Sequence, residues 1–457
     1  MPKITDKKVI DHTRSVCPEC LKQYDAEIIS EHNQAFMVRT CTTHGVKKHL
    51  VSKNADDYEY FRECYLMLKK DINMSPSKQK AYNIHVTDKC NLKCPICYSR
   101  GQSRQKDITI KDLEEHFQGV TNSRLCLFGG EPTMHEHVEE IIQWIKKNNN
   151  IAVLYTNGLK LDDSEFVKKI KNAGIDEVHI QFDGFSENAY ETFRGNKNLL
   201  HIKQTAIEEC ARQNLTIVLE VTVNTNNISE INSIFNFALE KPNIKGVVFR
   251  TLCLVDLTSK YEQKITTDDI IHTLSRNKKH PVSEEEINLF QKLLYKYCFY
   301  FKVPLFGCVL NRYYLLYKDG NTTLNIGDML NLKKINSYFS DFHQNSQKRS
   351  NKWIAAFKTI FHFLNKRNIK VALLILRNFL TEKFNGRHKH IKPVRSFFFL
   401  EISGPMDQYN YDQKIIELCP SGVYLEEKLH RSLGLAYYDR RMNIDKLLLS
   451  QEYRQKD

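Results

Sequence analysis

Thr87-Asp88-Lys89-Cys90-Asn91-Leu92-Lys93-Cys94-Pro95-Ile96-Cys97-Tyr98 comes directly after the apolar run Tyr82–Val86. Three cysteines with three and two residues between them sit on one short loop. Their thiolates can reach three corners of an iron–sulfur cubane, and the fourth iron is left without a protein ligand. Most such clusters take four cysteines, so an open iron is a place for a small molecule to chelate. The bland alternatives are a chance grouping of thiols or part of a zinc knuckle.

The sequence beyond the loop narrows the choice. Strand-like runs recur at 82–86, 124–128, 151–155, 177–182, 215–223 and 246–251, and amphipathic stretches at 108–120, 135–147, 163–173, 199–212 and 228–239 separate them. Six strands alternating with five helices imply a parallel sheet. Right-handed crossovers either curl it into a partial (β/α)6 TIM-type barrel or wind it doubly, and the barrel is the expected fold. In such a fold the ligand lies at the carboxyl ends of the strands. The strands here end in chemistry-bearing signals: Phe128-Gly129-Gly130-Glu131-Pro132, Thr156-Asn157-Gly158, Gln181-Phe182-Asp183-Gly184 and Thr222-Val223-Asn224. Asp183-Gly184 reads equally as a turn. Glu220, within the fifth strand, must be paired if it points inward.

The spacing, its aromatic follower Tyr98 and this series of strand ends resemble the radical SAM superfamily. The resemblance implies a 4Fe–4S cluster on Cys90, Cys94 and Cys97, with S-adenosylmethionine chelated at the open iron. Tyr98 then packs near adenine, Gly129 and Gly130 let backbone approach the ligand, Glu131 meets the methionine ammonium, Asn157 lines the site and Asp183 binds ribose hydroxyls. The implied activity is reductive cleavage of the sulfonium and hydrogen abstraction from an unactivated carbon, with electrons from a small one-electron donor protein.

Residues 1–50 form a separate unit. Cys17-Pro18-Glu19-Cys20 and Cys41-Thr42-Thr43-His44 are paired ligands on tight turns, with a hairpin (24–30 and 34–39) between them. That is the geometry of a zinc ribbon or rubredoxin knuckle holding one zinc or iron. Sulfur-rich tetrahedra accept either metal. A mononuclear knuckle before a radical SAM core, with Phe193-Arg194-Gly195 after the fourth strand, is similar to the tetraether lipid synthase and pterin methyltransferase-like group. That resemblance implies C–C coupling or methyl(ene) transfer on a lipid-like substrate, with peptide modification as an alternative. It also points to Cys308 and Cys419 as ligands of an auxiliary 4Fe–4S cluster. Cys64, Cys126 and Cys210 read as buried thiols, as do Cys253 and Cys298.

The rest of the chain divides into a helical connector (51–80), the core (81–255) and a mixed α+β C-terminal region (256–457). The connector carries Tyr58, Phe61, Tyr65 and Leu68 at helical spacing. The C-terminal region carries a buried strand expected at 394–403. Of the net charge of +13, nearly all lies in residues 348–395, where thirteen Lys/Arg face one acid, Glu382. Basic helices are expected there. Their simplest role is a solvated face on the barrel; contact with anionic headgroups is the sharper one. No nucleic-acid motif accompanies the charge. The polar N-terminus carries no secretory signal and no apolar run is long enough to span a bilayer, so a cytoplasmic protein, peripheral on a membrane at most, is expected.

Overall fold

The computed structural model describes residues 7–71, 81–97, 106–254, 265–301, 308–319, 322–338, 397–417, 422–425 and 428–431. Tyr98, Cys419 and the basic segment 348–395 lie outside the described residues.

The N-terminal unit is a four-stranded antiparallel sheet in sequential order, β1 (Lys7–Val16), β2 (Gln23–Glu31), β3 (Gln34–Cys41) and β4 (Gly45–Ser52). The expected hairpin is β2–β3. Its two-residue turn, His32-Asn33, has positive φ at both positions, as a type I′ connection requires. Sequence reading missed the outer strands β1 and β4. The connector is α1 (Ala55–Asp71), and it buries Tyr58, Phe61, Tyr65 and Leu68 as their spacing predicts.

All six core strands form: β5 (Ala81–Thr87), β6 (Arg124–Gly129), β7 (Ile151–Thr156), β8 (Glu177–Gln181), β9 (Ile217–Val223) and β10 (Ile244–Thr251). The five expected helices are α2 (Ile110–Phe117), α3 (Val138–Lys147), α4 (Ser164–Ala173), α6 (Leu199–Arg212) and α7 (Ile231–Glu240). A sixth, α5 (Glu187–Arg194), is not expected from the sequence pattern. The strands lie in chain order and every neighbouring pair is parallel. Double winding requires the order to reverse at a switch point. It never does here, so each right-handed crossover adds its strand on the same side and the helices share one face. This selects the partial barrel.

Beyond the core come α8 (Thr267–Ser275), α9 (Glu284–Phe301), β11 (Arg312–Asp319), β12 (Thr322–Asn325), α10 (Ile326–Met329) and α11 (Leu332–Tyr338). The last elements are β13 (Phe397–Ser403), α12 (Gln413–Glu417), β14 (Gly422–Leu425) and β15 (Lys428–Arg431). The strand expected at 394–403 is β13, which pairs in parallel with β10. On the other edge β14 pairs in parallel with β5. The sheet has eleven strands, ends at β12 and β15, and does not close among the described residues.

The two faces of this sheet differ. Leu125, Leu127, Leu154, Ile180, Leu219, Val221 and Phe249 point to the helices and are fully buried, each contributing about 1.5–3 kcal/mol of burial. The alternate positions include Arg124, Cys126, Tyr155, Glu177, His179, Glu220 and Arg250. A charged inner face is unusual for such a barrel.

Candidate functional site

The N-terminal turns bring Cys17, Cys20, Cys41 and His44 together, with one ligand atom of each within 4.8 Å of every other. Three of the separations are 3.5 Å (Cys17 Sγ to His44 Nδ1), 3.8 Å (Cys20 Sγ to Cys41 Sγ) and 3.4 Å (Cys41 Sγ to His44 Nδ1). A tetrahedral ion with bonds of about 2.0–2.3 Å holds its ligands roughly 3.3–3.8 Å apart. The four residues therefore fit one mononuclear ion.

The Cys90–Cys97 loop leaves the carboxyl end of β5. Cys90 is exposed, whereas Cys94 and Cys97 are half-buried and joined by a turn, Cys97 N–H donating to Cys94 O at 3.2 Å. The two glycines at the end of β6 serve this loop. Gly130 N–H donates to Thr87 O at 2.8 Å and Glu131 N–H to Lys89 O at 2.7 Å. A Cβ on Gly129 would lie 2.5 Å from Thr87 O, and one on Gly130 2.5 Å from Lys89 O. Gly129 also has φ +139°. The close backbone approach expected of this pair is thus to the cysteine loop itself.

Glu131 is buried, and its carboxylate is heavily used. Oε1 accepts from Thr133 N (3.1 Å), Thr133 Oγ1 (2.7 Å) and Thr156 Oγ1 (2.7 Å), and Oε2 accepts from Asn157 N at 2.6 Å. It ties the ends of β6 and β7 together. Asn157 carries the tie onward, donating from Nδ2 to Asn91 Oδ1 of the cysteine loop at 2.7 Å. Behind it stands Lys203 of α6, fully buried, whose amine donates to Asn157 O and to Gln181 Oε1. Burial and the nearby Arg194 push this amine down to about 7.

Asp183 lies at the end of β8 but is enclosed. Its side chain is completely buried, and both carboxylate oxygens are engaged by Arg194, at 2.7 Å (Nε) and 2.9 Å (Nη2). That places it behind the mouth as an anchor for Arg194. Arg194 ends α5, which stops at Gly195 (φ +70°). From there it also reaches Cys94, and Gly195 lies against Pro95. Phe193, Leu252 and Leu254 bury Ile96, with Tyr409 packed against the group.

Tyr409 also connects this loop to the N-terminal sheet. Its ring packs edge-on against His49 of β4 (4.7 Å), and buried Arg39 of β3 donates to Tyr409 O (3.1 Å) and Gln408 O (3.0 Å). The metal unit is therefore joined to the main body through residues 403–412.

Cys64, Cys126, Cys210 and Cys298 are buried, as expected of core thiols, whereas Cys253 is half-buried. Cys308 is half-buried against the apolar cluster around α1 and α9. Among the described residues only the N-terminal quartet gathers three or more ligating groups around one point. Sequence reading missed Arg194's role, although Phe193-Arg194-Gly195 stands out as a motif. It missed Lys203 and the Gln408-Tyr409 contact altogether, since neither sits in a recognisable motif.

Residues 84–238 match the radical SAM superfamily, and the chain carries a radical SAM domain. Residues 9–53 match the HMPTM N-terminal zinc ribbon domain, which places that domain behind a ribbon of this particular kind. The chain is 30% identical over 304 residues to 7,8-dihydro-6-hydroxymethylpterin dimethyltransferase of Methanocaldococcus jannaschii, covering 60% of each chain. It is 27% identical over 211 residues to Fe-coproporphyrin III synthase of Methanosarcina barkeri, covering 45% of this chain and 52% of the relative. The chain thus spans between half and two thirds of these relatives' lengths. Streptococcus suis SuiB bound to S-adenosylmethionine is a structural neighbour, with TM-score 0.38, 13% identity and 53% of this chain and 65% of SuiB covered.

Proposed function

We propose that this protein is a radical SAM enzyme that abstracts hydrogen from a polar substrate held inside the partial barrel. The observation that carries the reading is the mouth of the sheet, where the three-cysteine loop is seated on Gly129 and Gly130 and tied through Asn91 and Asn157 to buried Glu131. Cys90, Cys94 and Cys97 would hold a 4Fe–4S cluster. Such a cluster, binding S-adenosylmethionine at its open iron, supplies on one-electron reduction the cleavage that yields methionine and a 5′-deoxyadenosyl radical.

The chain's own residues position and enclose this chemistry. Glu131 and Asn157 lock the ends of β6 and β7 against the cysteine loop. Lys203 joins the ends of β7 and β8. Arg194, held by Asp183, places a cation beside Cys94, where thiolate charge concentrates. Ile96, Phe193, Leu252, Leu254 and Tyr409 exclude water from one side of the loop. The Cys17/Cys20/Cys41/His44 ion is structural, since a sheet this small needs a metal to hold its turns.

Methyl or methylene transfer, or C–C coupling, is the proposed outcome. The names of the relatives concern a pterin and a porphyrin, both polar ring systems, and the charged inner face suits such a substrate better than an acyl chain. A small one-electron donor protein is the proposed reductant and the cytoplasm the proposed location. No helix among the described residues is long and apolar enough to cross a membrane. Residues 348–395 are the segment proposed to touch an anionic surface.

The test is anaerobic incubation of the iron-replete protein with S-adenosylmethionine and dithionite. We expect 5′-deoxyadenosine and methionine in equal amounts. A cluster-loaded sample that forms neither would overturn the reading.

A further inference from the structure

We propose that Glu220, Arg250 and Glu401 form a substrate-recognition subsite for a planar polar ring, meeting a ring N–H with carboxylate and the adjacent C=O with guanidinium. This rests on the radical SAM reading above and specifies which part of the barrel reads the substrate.

Strand register builds the subsite. Val248 of β10 pairs with Glu220 of β9 on one side and with Glu401 of β13 on the other. The two carboxylates therefore stand in one row, two strand spacings apart, about 10 Å between backbones. Arg250 lies two residues further along β10, on the same face and one step nearer the mouth. Its own row pairs it with Thr222 and Ser403. The result is a guanidinium near the carboxyl end of β10, set between and above two carboxyl groups that lie deeper along β9 and β13.

Below this set the charged side chains pair with one another. Arg124 grips Glu177 with two bonds of 2.9 and 2.7 Å. His179 lies between Glu177 (3.5 Å) and Glu220 (2.9 Å), and the Tyr155 ring covers it at 4.4 Å. Buried charge is costly unless paired, and here it is paired.

The polar series continues upward and opens. The Arg250 side chain is 41% exposed, although Nη1 donates to Ser403 Oγ (3.0 Å) and Nη2 lies 3.5 Å from Glu220 Oε2. Glu401 accepts from Asn311 Nδ2 at 3.0 Å. Burial pushes the Glu401 carboxyl up to about 7, so it can meet either a donor or an acceptor. An alkyl chain placed here would strip water from a guanidinium and two carboxyl groups and return no hydrogen bonds. A ring edge with N–H beside C=O satisfies both kinds of group.

The probe is 2-aminopyrimidin-4(3H)-one, which carries that edge, compared with its N3-methyl derivative, which lacks the N–H, and with dispersed palmitate. Binding to full-length, cluster-loaded protein is followed by equilibrium dialysis under anaerobic conditions. The ring should bind, and N3-methylation should weaken it at least tenfold. E220Q, and separately E401Q, should also weaken the unmethylated ring at least tenfold. In the variant whose carboxylate meets N3–H, methylation should cost little more, a non-additivity that a structural role would not produce. E401Q serves if E220Q disturbs His179, and iron content with the thermal midpoint reports folding. Equal binding of the two rings, strictly additive losses in both variants, or preference for palmitate would overturn the subsite. Formation of 5′-deoxyadenosine in the same samples separates the outcomes: if it forms and the ring data fail, only the subsite falls; if it does not form, the radical reading falls.

Discussion

Replacing Asp183 by Asn separates an anchor from a cofactor ligand. The Asp183 side chain is 0% exposed and that of Arg194 11%, so little of their attraction is lost to solvent. The substitution keeps the shape but removes the charge that two Arg194 hydrogen bonds depend on. Removing one partner of a buried pair costs about 3–5 kcal/mol, because the other charge is left uncompensated. Arg194 keeps a weaker contact with Thr222 Oγ1 at 3.4 Å, which favours the lower end. At about 2–4 °C per kcal/mol for a domain of this size, 3 kcal/mol lowers the midpoint by roughly 6–12 °C. Anaerobic differential scanning calorimetry measures this directly. The shift should persist at about 0.5 M salt, since a buried pair is screened far less than an exposed one. If D183N melts with the wild-type protein but binds S-adenosylmethionine more weakly, Asp183 is a ribose ligand and the anchor argument is wrong.

Gly130→Ala forces a methyl group to within 2.5 Å of Lys89 O and 2.7 Å of Asp88 O, both backbone atoms; acid-labile sulfide should fall while one mononuclear metal ion per chain is retained. Cys41→Ser should remove the mononuclear ion and speed hydrogen exchange across β1–β4, with exchange in β7 and β8 unaffected. Lys203→Met strands the acceptors Asn157 O and Gln181 Oε1, at a cost of about 1–3 kcal/mol read by thermal melts. Burial alone would lower the His179 value, but Glu177 and Glu220 raise it above 6.5. Protonated His179 therefore stabilises the fold below pH 6.5, and that contribution is lost as pH rises through the folded value. His179→Gln should flatten the decline in thermal midpoint above that pH, and an unchanged profile would contradict the assignment.

The core was legible because each strand and each helix announces itself locally. Leu125 and Leu127 alternate with Cys126 at period two, and Ile141, Ile142 and Ile145 fall on one helix face. Cysteine spacing exposed the N-terminal quartet for the same reason: its ligands come as two pairs, each on one tight turn. What escaped depends on residues far apart in the chain. Asp183-Gly184 looks identical as a turn or a ligand until Arg194 is seen to face it. Glu220 and Glu401 flank one strand only because β13, which begins at Phe397, returns to the edge of β10, which begins at Ile244. β1 and β4 were missed because their charged, lysine-rich runs lack an apolar alternation, and Lys203 because a buried amine reads as a solvated helix residue.

The Arg39 clasp also sets a timetable. Its carbonyl partners, Gln408 and Tyr409, leave the ribosome 369 and 370 residues after it. At about 5–20 residues per second that is a delay on the order of 20–70 s. Throughout it the metal ribbon can fold, and the sheet can grow strand by strand from β5 to β10, while Ile96 still lacks the tyrosine that covers it. One side of the cysteine loop is therefore covered late in synthesis, by a residue made after all six core strands.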